Sequence, residues 1–167
     1  ATQLVVMGVS GSGKSTLGEA LARRLGRPFI EGDRFHPPRN VAKMSNGIAL
    51  DDADRVPWLR ALSGEMARLA ADGRSCVVAC SALKRRYRDL LREAVPETQF
   101  VHIRCDPELV MQRLGCRPNH FFPASLLDSQ LEALEPLAPD EHGFVVDGAL
   151  TTDQQLLEAL RHLRQPL

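Results

Sequence analysis

One short segment restricts this chain more than any other: Gly8-Val-Ser-Gly-Ser-Gly13-Lys14-Ser15. It fits G-x-x-x-x-G-K-[S/T] at every fixed position, directly after the apolar run Leu4 to Met7 and at the start of a segment of helical period, Lys14 to Leu25. Gly8, Gly11 and Gly13 permit backbone conformations closed to residues with a β-carbon, so successive N–H groups can turn inward onto an anion. The helix that follows directs its positive N-terminal end at the same point. Gly8, Ser10, Gly11, Ser12 and Gly13 therefore form a candidate phosphate cradle. In such a loop Lys14 reaches the β- and γ-phosphates of ATP, Ser15 offers its hydroxyl to Mg²⁺, and Thr16 is a lesser nucleotide candidate.

The rest of the chain repeats the strand–helix alternation. Strand-like runs are expected at Leu4 to Met7, Pro28 to Ile30, Cys76 to Cys80, Phe100 to Ile103 and Phe144 to Val146. Helices are expected at Lys14 to Leu25, where Leu17, Leu21 and Leu25 form a stripe, and at Asp54 to Ala71, with caps from Asp51 to Asp54 and Pro57 in the first turn. Four more follow at Leu83 to Glu93, Pro107 to Leu114, Pro123 to Leu134 and Thr151 to Leu163. This order predicts an α/β, three-layer fold with a five-stranded parallel sheet. At 167 residues one domain, 1–167, is expected. Two stretches, residues 32–53 and 115–124, break the rhythm and mark the candidate binding segments, a substrate-binding region at about 32–60 and a lid at about 114–124.

Composition excludes several classes of function. Lysine plus arginine equals aspartate plus glutamate, 21 against 21, so no global field favours nucleic acid or an anionic membrane. No apolar run approaches the roughly 20 residues of a membrane span, and the sequence opens without a signal-peptide pattern, which points to a cytoplasmic protein. Cys76 and Cys80 share one face of an apolar run and no zinc-ligand spacing follows, so buried reduced thiols are expected.

A phosphate loop does not separate a kinase from a nucleotide switch. The second strand narrows the choice, because Phe29-Ile-Glu31-Gly-Asp33 brings two carboxylates to its carboxyl end, beside the loop in an open α/β sheet. Asp33 is the candidate base for a nucleophilic hydroxyl, and Glu31 the weaker candidate on the metal side.

The chain then resembles the gluconokinase family, relatives of the shikimate and adenylate kinases. The likeness rests on MGVSGSGKS at 7–15, EGDRFHPPRNVAKMSNGIALDDADRVPWL at 31–59, CSALKRRYRDLLR at 80–92 and RPNHFFPASLLDSQLEALE at 117–135. It implies ATP-dependent phosphorylation of D-gluconate at its 6-hydroxyl and makes a homodimer an expectation. It also implies Asp33 as base, with His36, Lys43 and Arg55 as substrate contacts. After the third strand, Ser81 faces the crevice and Lys84 and Arg88, four apart, read as a cationic pair for the sugar acid's carboxylate. Arg113, Arg117 and His120 fall in the lid region, where Arg113 and Arg117 are candidates to clamp the nucleotide, Arg117 to neutralise charge on the transferred group, and His120 to touch substrate. The likeness departs at Pro118-Asn119, where the family usually carries a basic residue and glycine. The rivals are a kinase of another small acceptor, such as shikimate or a nucleoside monophosphate, and a non-enzymatic nucleotide-binding protein.

Overall fold

The computed structural model describes residues 2–115 and 124–164. In β1 (Leu4–Met7) alternate side chains point to opposite faces, and all four are buried. A strand apolar on both faces needs cover on both. Val5 and Met7 join one core with Trp58, Leu62 and Met66 of α3 (Asp52–Ala71) and Tyr87 and Leu91 of α4 (Arg85–Ala94). Leu4 and Val6 join a second core with Leu17 and Leu21 of α1 (Lys14–Leu25) and Ala159 and Leu160 of α7 (Thr152–Arg164). The result is the expected three-layer α/β/α arrangement.

The sheet has five strands in the order β2-β3-β1-β4-β5, with β2 Phe29–Glu31, β3 Val77–Ala79, β4 Gln99–Arg104 and β5 Gly143–Asp147. Every pairing is parallel. Met7 lies opposite His102 and Glu31 opposite Ala79, so the glycine loop and the acidic turn leave the sheet at the same edge, its carboxyl end. There α5 (Pro107–Gly115) and α6 (Ala124–Ala133) close a third apolar cluster, in which Val9 of the loop packs with Val110, Leu114 and Leu127.

The helical pattern misplaced two features. α3 begins at Asp52, two residues earlier than expected, because Asp51 and Asp54 form a reciprocal capping box: Asp54 N donates to Asp51 Oδ1 at 2.7 Å and Asp51 N to Asp54 Oδ2 at 3.0 Å. Pro57 consequently lies inside the helix, where its missing N–H leaves the Ala53 carbonyl without its helical donor. The stretch read as irregular, residues 32–53, holds a 3₁₀ turn at Gly32–Phe35 and α2 (Pro38–Ser45), which starts on a proline at its first position. Among the described residues no helix is long and apolar enough to cross a membrane.

Candidate active site

The glycine loop is built as its sequence requires. Gly8, Gly11 and Gly13 have φ of 152°, 81° and 95°, and Gly13 caps α1. A β-carbon on Gly8 would stand 2.7 Å from Ser12 Oγ and 3.0 Å from the Ile103 carbonyl, so the loop closes only around glycine. The loop is clipped to its neighbours: Gly8 N donates to the Ser81 carbonyl at 3.3 Å, and Lys14 Nζ to the Val9 carbonyl at 3.0 Å. Ser15 Oγ donates to Glu31 Oε2, which places a hydroxyl and a carboxylate side by side at the foot of the loop. Among the described residues the buried Ser12 hydroxyl has no partner.

The acidic turn depends on Gly32. A β-carbon there would meet the Ala79 carbonyl at 2.4 Å, so glycine lets the chain leave β2 tight against β3 and swing Asp33 over the sheet edge. His36 follows, stacked on Trp58 with ring centroids 4.1 Å apart and planes at 18°. The indole is itself held by its Nε1–H to the Gly32 carbonyl at 2.9 Å. Burial lowers the His36 pKa; Asp33 opposes that shift and Arg55 adds to it.

These groups enclose a cleft of about 330 Å³. Ser10, Gly11, Gly13, Lys14, Ser15 and Thr16 of the loop, Glu31, Asp33 and His36 of the acidic turn, and Arg55, Trp58 and Ser81 all line it, with Gln130 of α6 among the remaining lining residues. Phosphate loop, acidic turn and one arginine thus share one space.

Several of the expected cationic contacts lie elsewhere. Arg88 is fully buried: its Nε and Nη2 grip Glu141 at 2.7 and 3.0 Å and its Nη1 donates to the Ala82 carbonyl at 2.9 Å. It is a structural cation and forms no pair with Lys84. Lys84 sits just ahead of α4, as its cap, in extended backbone, so the two residues do not share a helix face. Lys84 Nζ instead holds Asp52 at 3.0 Å, outside the residues that line the cleft. Lys43 is turned onto Asp54 at 2.9 Å and serves the capping box. That contact and the Asp51 backbone hydrogen bond hold the Asp54 carboxyl at about 2. Arg113 runs beneath the glycine loop, donating to the carbonyls of Gly148 at 2.6 Å and Ser12 at 3.4 Å. Arg117 and His120 lie outside the described residues.

Sequence reasoning missed three partners. Tyr87 accepts from Arg55 Nη1 at 3.0 Å, lies under its guanidinium at 5.3 Å, and donates in turn to Asp52. The Asp52 carboxyl is held below the usual range by that phenol first and by Lys84 second. Gln130 of α6 accepts from Ser10 N at 2.7 Å and donates to Ser10 Oγ at 3.0 Å, across 120 residues of sequence. Asn40 of α2, fully buried, touches His36 and the Asp54 carbonyl. Tyr87 and Gln130 lie within the segments that carry the family likeness, but no spacing rule links either to its partner.

Known proteins match this arrangement. The family model described as "AAA domain" matches residues 4–137. The chain is 48% identical over 161 residues to a gluconokinase of Gluconobacter oxydans (strain 621H), covering 96% of this chain and 90% of that one. Its structure is similar to that of a gluconokinase from Sinorhizobium meliloti 1021, with a TM-score of 0.89 and 47% identity over 97% of this chain and 91% of the other. A shikimate kinase from Bacteroides thetaiotaomicron shares the fold at a TM-score of 0.68 and 19% identity, covering 98% and 99% of the two chains.

Proposed function

The chain belongs to the gluconokinase family and transfers a phosphoryl group from ATP to D-gluconate, and we propose that the cleft between the glycine loop and the acidic turn is where it does so. The observation that carries this placement is the shared cleft, in which Lys14, Asp33 and Arg55 face one space of about 330 Å³. Phosphoryl transfer asks a protein for positioning and charge stabilisation, with little covalent chemistry of its own.

Each residue then has one task. The loop amides and Lys14 bind the nucleotide's phosphates, and Asp33 orients the substrate hydroxyl and takes its proton during in-line attack. Arg55 receives the carboxylate of gluconate, and His36 and Ser81 bind along its hydroxylated chain. Ser15 and Glu31 suit Mg²⁺: a hydroxyl and a carboxylate already in contact are hard oxygen donors. Among the described residues no larger His, Cys, Asp or Glu cluster could cage an ion, which fits a metal held largely by phosphates and water. Held by Ser15 and Glu31, Mg²⁺ would neutralise charge on the nucleotide's phosphates. Arg117 and His120 remain proposals for the closing side of the site. A cytoplasmic location fits the thiols of Cys76 and Cys80, which burial pushes up to about 11 and about 12 and so leaves unreactive. A homodimer is also proposed, to be checked by sedimentation.

An ADP-release assay across gluconate, shikimate and nucleoside monophosphates, with NMR of the product, tests this reading. Gluconate should be turned over and phosphorylated at its terminal hydroxyl. Turnover of shikimate without turnover of gluconate would overturn it.

A further inference from the structure

His36 meets the cleft with its ring held at two points. Its face lies on Trp58, and its Nδ1 lies 3.2 Å from Asn40 Nδ2. The proton position on this imidazole follows from the partner of Asn40. Asn40 Nδ2 also donates to the backbone carbonyl of Asp54 at 2.9 Å, and a carbonyl can only accept. Turning the amide over would set Oδ1 against that carbonyl oxygen at the same distance. The amide is therefore oriented with Nδ2 toward both neighbours, one hydrogen for the Asp54 carbonyl and the other for His36. Nδ1 of His36 is then an acceptor and carries no proton, which leaves the proton of the neutral ring on Nε2.

The orientation has a visible consequence elsewhere. Asn40 is fully buried, and among the described residues its Oδ1 has no hydrogen-bond partner. Both amide hydrogens are used while the oxygen is left unpaired, so the side chain is held for what it donates. The charged groups facing His36 are Asp33 from the 3₁₀ turn, which favours a protonated ring, and Arg55 from α3, which disfavours it together with burial.

We propose that Asn40 is a positioning residue that fixes His36 as its Nε2–H tautomer, so that the imidazole meets the acceptor substrate as a neutral hydrogen-bond donor. The proposal rests on the cleft being the gluconate site. It divides the work between neighbours: Asp33 is the proton acceptor, while His36, with Nδ1 occupied and Nε2 protonated, has no free lone pair with which to compete for the hydroxyl proton. An Nε2–H donor selects an oxygen that accepts, a hydroxyl or carboxylate oxygen of a sugar acid.

Long-range ¹H–¹⁵N spectra of the full ¹⁵N-labelled chain near neutral pH test this directly, with His36 assigned by its loss in His36→Gln. The expected pattern is a protonated Nε2 and an unprotonated Nδ1. A ring protonated on Nδ1, or one averaging between tautomers, would overturn the proposal before any change at Asn40 is made. Asn40→Asp replaces the donor by an acceptor and should move the proton to Nδ1, leaving Nε2 without one. KM for gluconate should then rise at least tenfold while KM for ATP stays within twofold. An Asn40→Asp protein with the wild-type spectrum and wild-type KM for gluconate would also sink the idea. Gluconate turnover of the same wild-type preparation is measured beside the spectrum; its absence would count against the cleft reading alone, since the tautomer is read independently of substrate.

Discussion

Arg88 and Glu141 are both withdrawn from solvent and joined by two charge-assisted hydrogen bonds, Nε to Oε1 at 2.7 Å and Nη2 to Oε2 at 3.0 Å. Arg92 adds a third at 2.9 Å, and the Ala138 N–H a fourth at 2.8 Å. The pair thus ties α4 to the segment that leads into β5. An arginine that reads from the sequence as a ligand for the substrate is an internal cross-link.

Removing one partner of a buried ion pair strands the other charge. Arg88→Met should therefore destabilise the fold by about 3–5 kcal/mol, measured by urea unfolding. KM for gluconate of the folded fraction should change less than twofold. A large rise in KM with unchanged stability would return Arg88 to the substrate site.

The same pair sets an acid limit on stability. Burial raises the Glu141 pKa, but the hydrogen bonds from Arg88, Ala138 N and Arg92 outweigh it and bring the group to about 2, against an ordinary 4.5. A folded-state pKa below the unfolded one means stability present above 4.5 and lost as pH falls from 4.5 toward about 2. Glu141→Gln should lower stability at neutral pH and flatten its decline across that window, as followed by thermal unfolding at a series of pH values.

Asp33→Asn keeps the size of the side chain and removes its basicity. If Asp33 takes the hydroxyl proton, kcat should fall roughly 10²- to 10⁴-fold while ATP affinity, measured by calorimetry, stays near wild type. An unchanged kcat would remove Asp33 from that role.

The fold was legible because its signals are local. The apolar run Leu4 to Met7, the Leu17–Leu21–Leu25 stripe and the glycine spacing each report on a few consecutive residues, and all three appear where expected. Ser15, Glu31 and Asp33 were legible for the same reason: they sit at the ends of strands and helices that the pattern defines. The cationic side was not. A lysine or arginine reaches far enough to choose among several carboxylates, and the choice depends on tertiary neighbours such as Glu141, Asp52 and Asp54. Arg55 reaches the cleft while Lys43, Lys84 and Arg88 do not, and no periodicity distinguishes them.

Arg55 is aimed by Tyr87, whose hydroxyl accepts from Nη1 at 3.0 Å and hands its own proton to Asp52. Tyr87→Phe keeps the ring under the guanidinium and deletes only that hydroxyl. A hydrogen bond to a charged group contributes about 1.5–3 kcal/mol, part of which a solvated arginine recovers from water. KM for gluconate should rise about 5- to 30-fold, with KM for ATP unchanged. Equal effects on both substrates would mean that Tyr87 acts through the fold.

Gln130 makes the converse prediction. Its amide closes a reciprocal pair with Ser10, accepting from the backbone N–H at 2.7 Å and donating to the hydroxyl at 3.0 Å, so α6 braces the phosphate loop from the cleft side. Gln130→Ala removes both bonds, worth about 0.5–1.5 kcal/mol each, part of which water recovers at the open cleft, and should raise KM for ATP about 3- to 30-fold with little change in KM for gluconate. Gln130→Glu separates bracing from charge. A carboxylate still accepts from Ser10 N–H, yet it places a negative charge beside a site built for phosphate, so KM for ATP should rise beyond that of the alanine variant and fall back toward it as salt is added. If Gln130→Glu instead binds ATP as well as wild type, the glutamine points away from the nucleotide's charge and its contact with Ser10 only fastens α6 to the sheet.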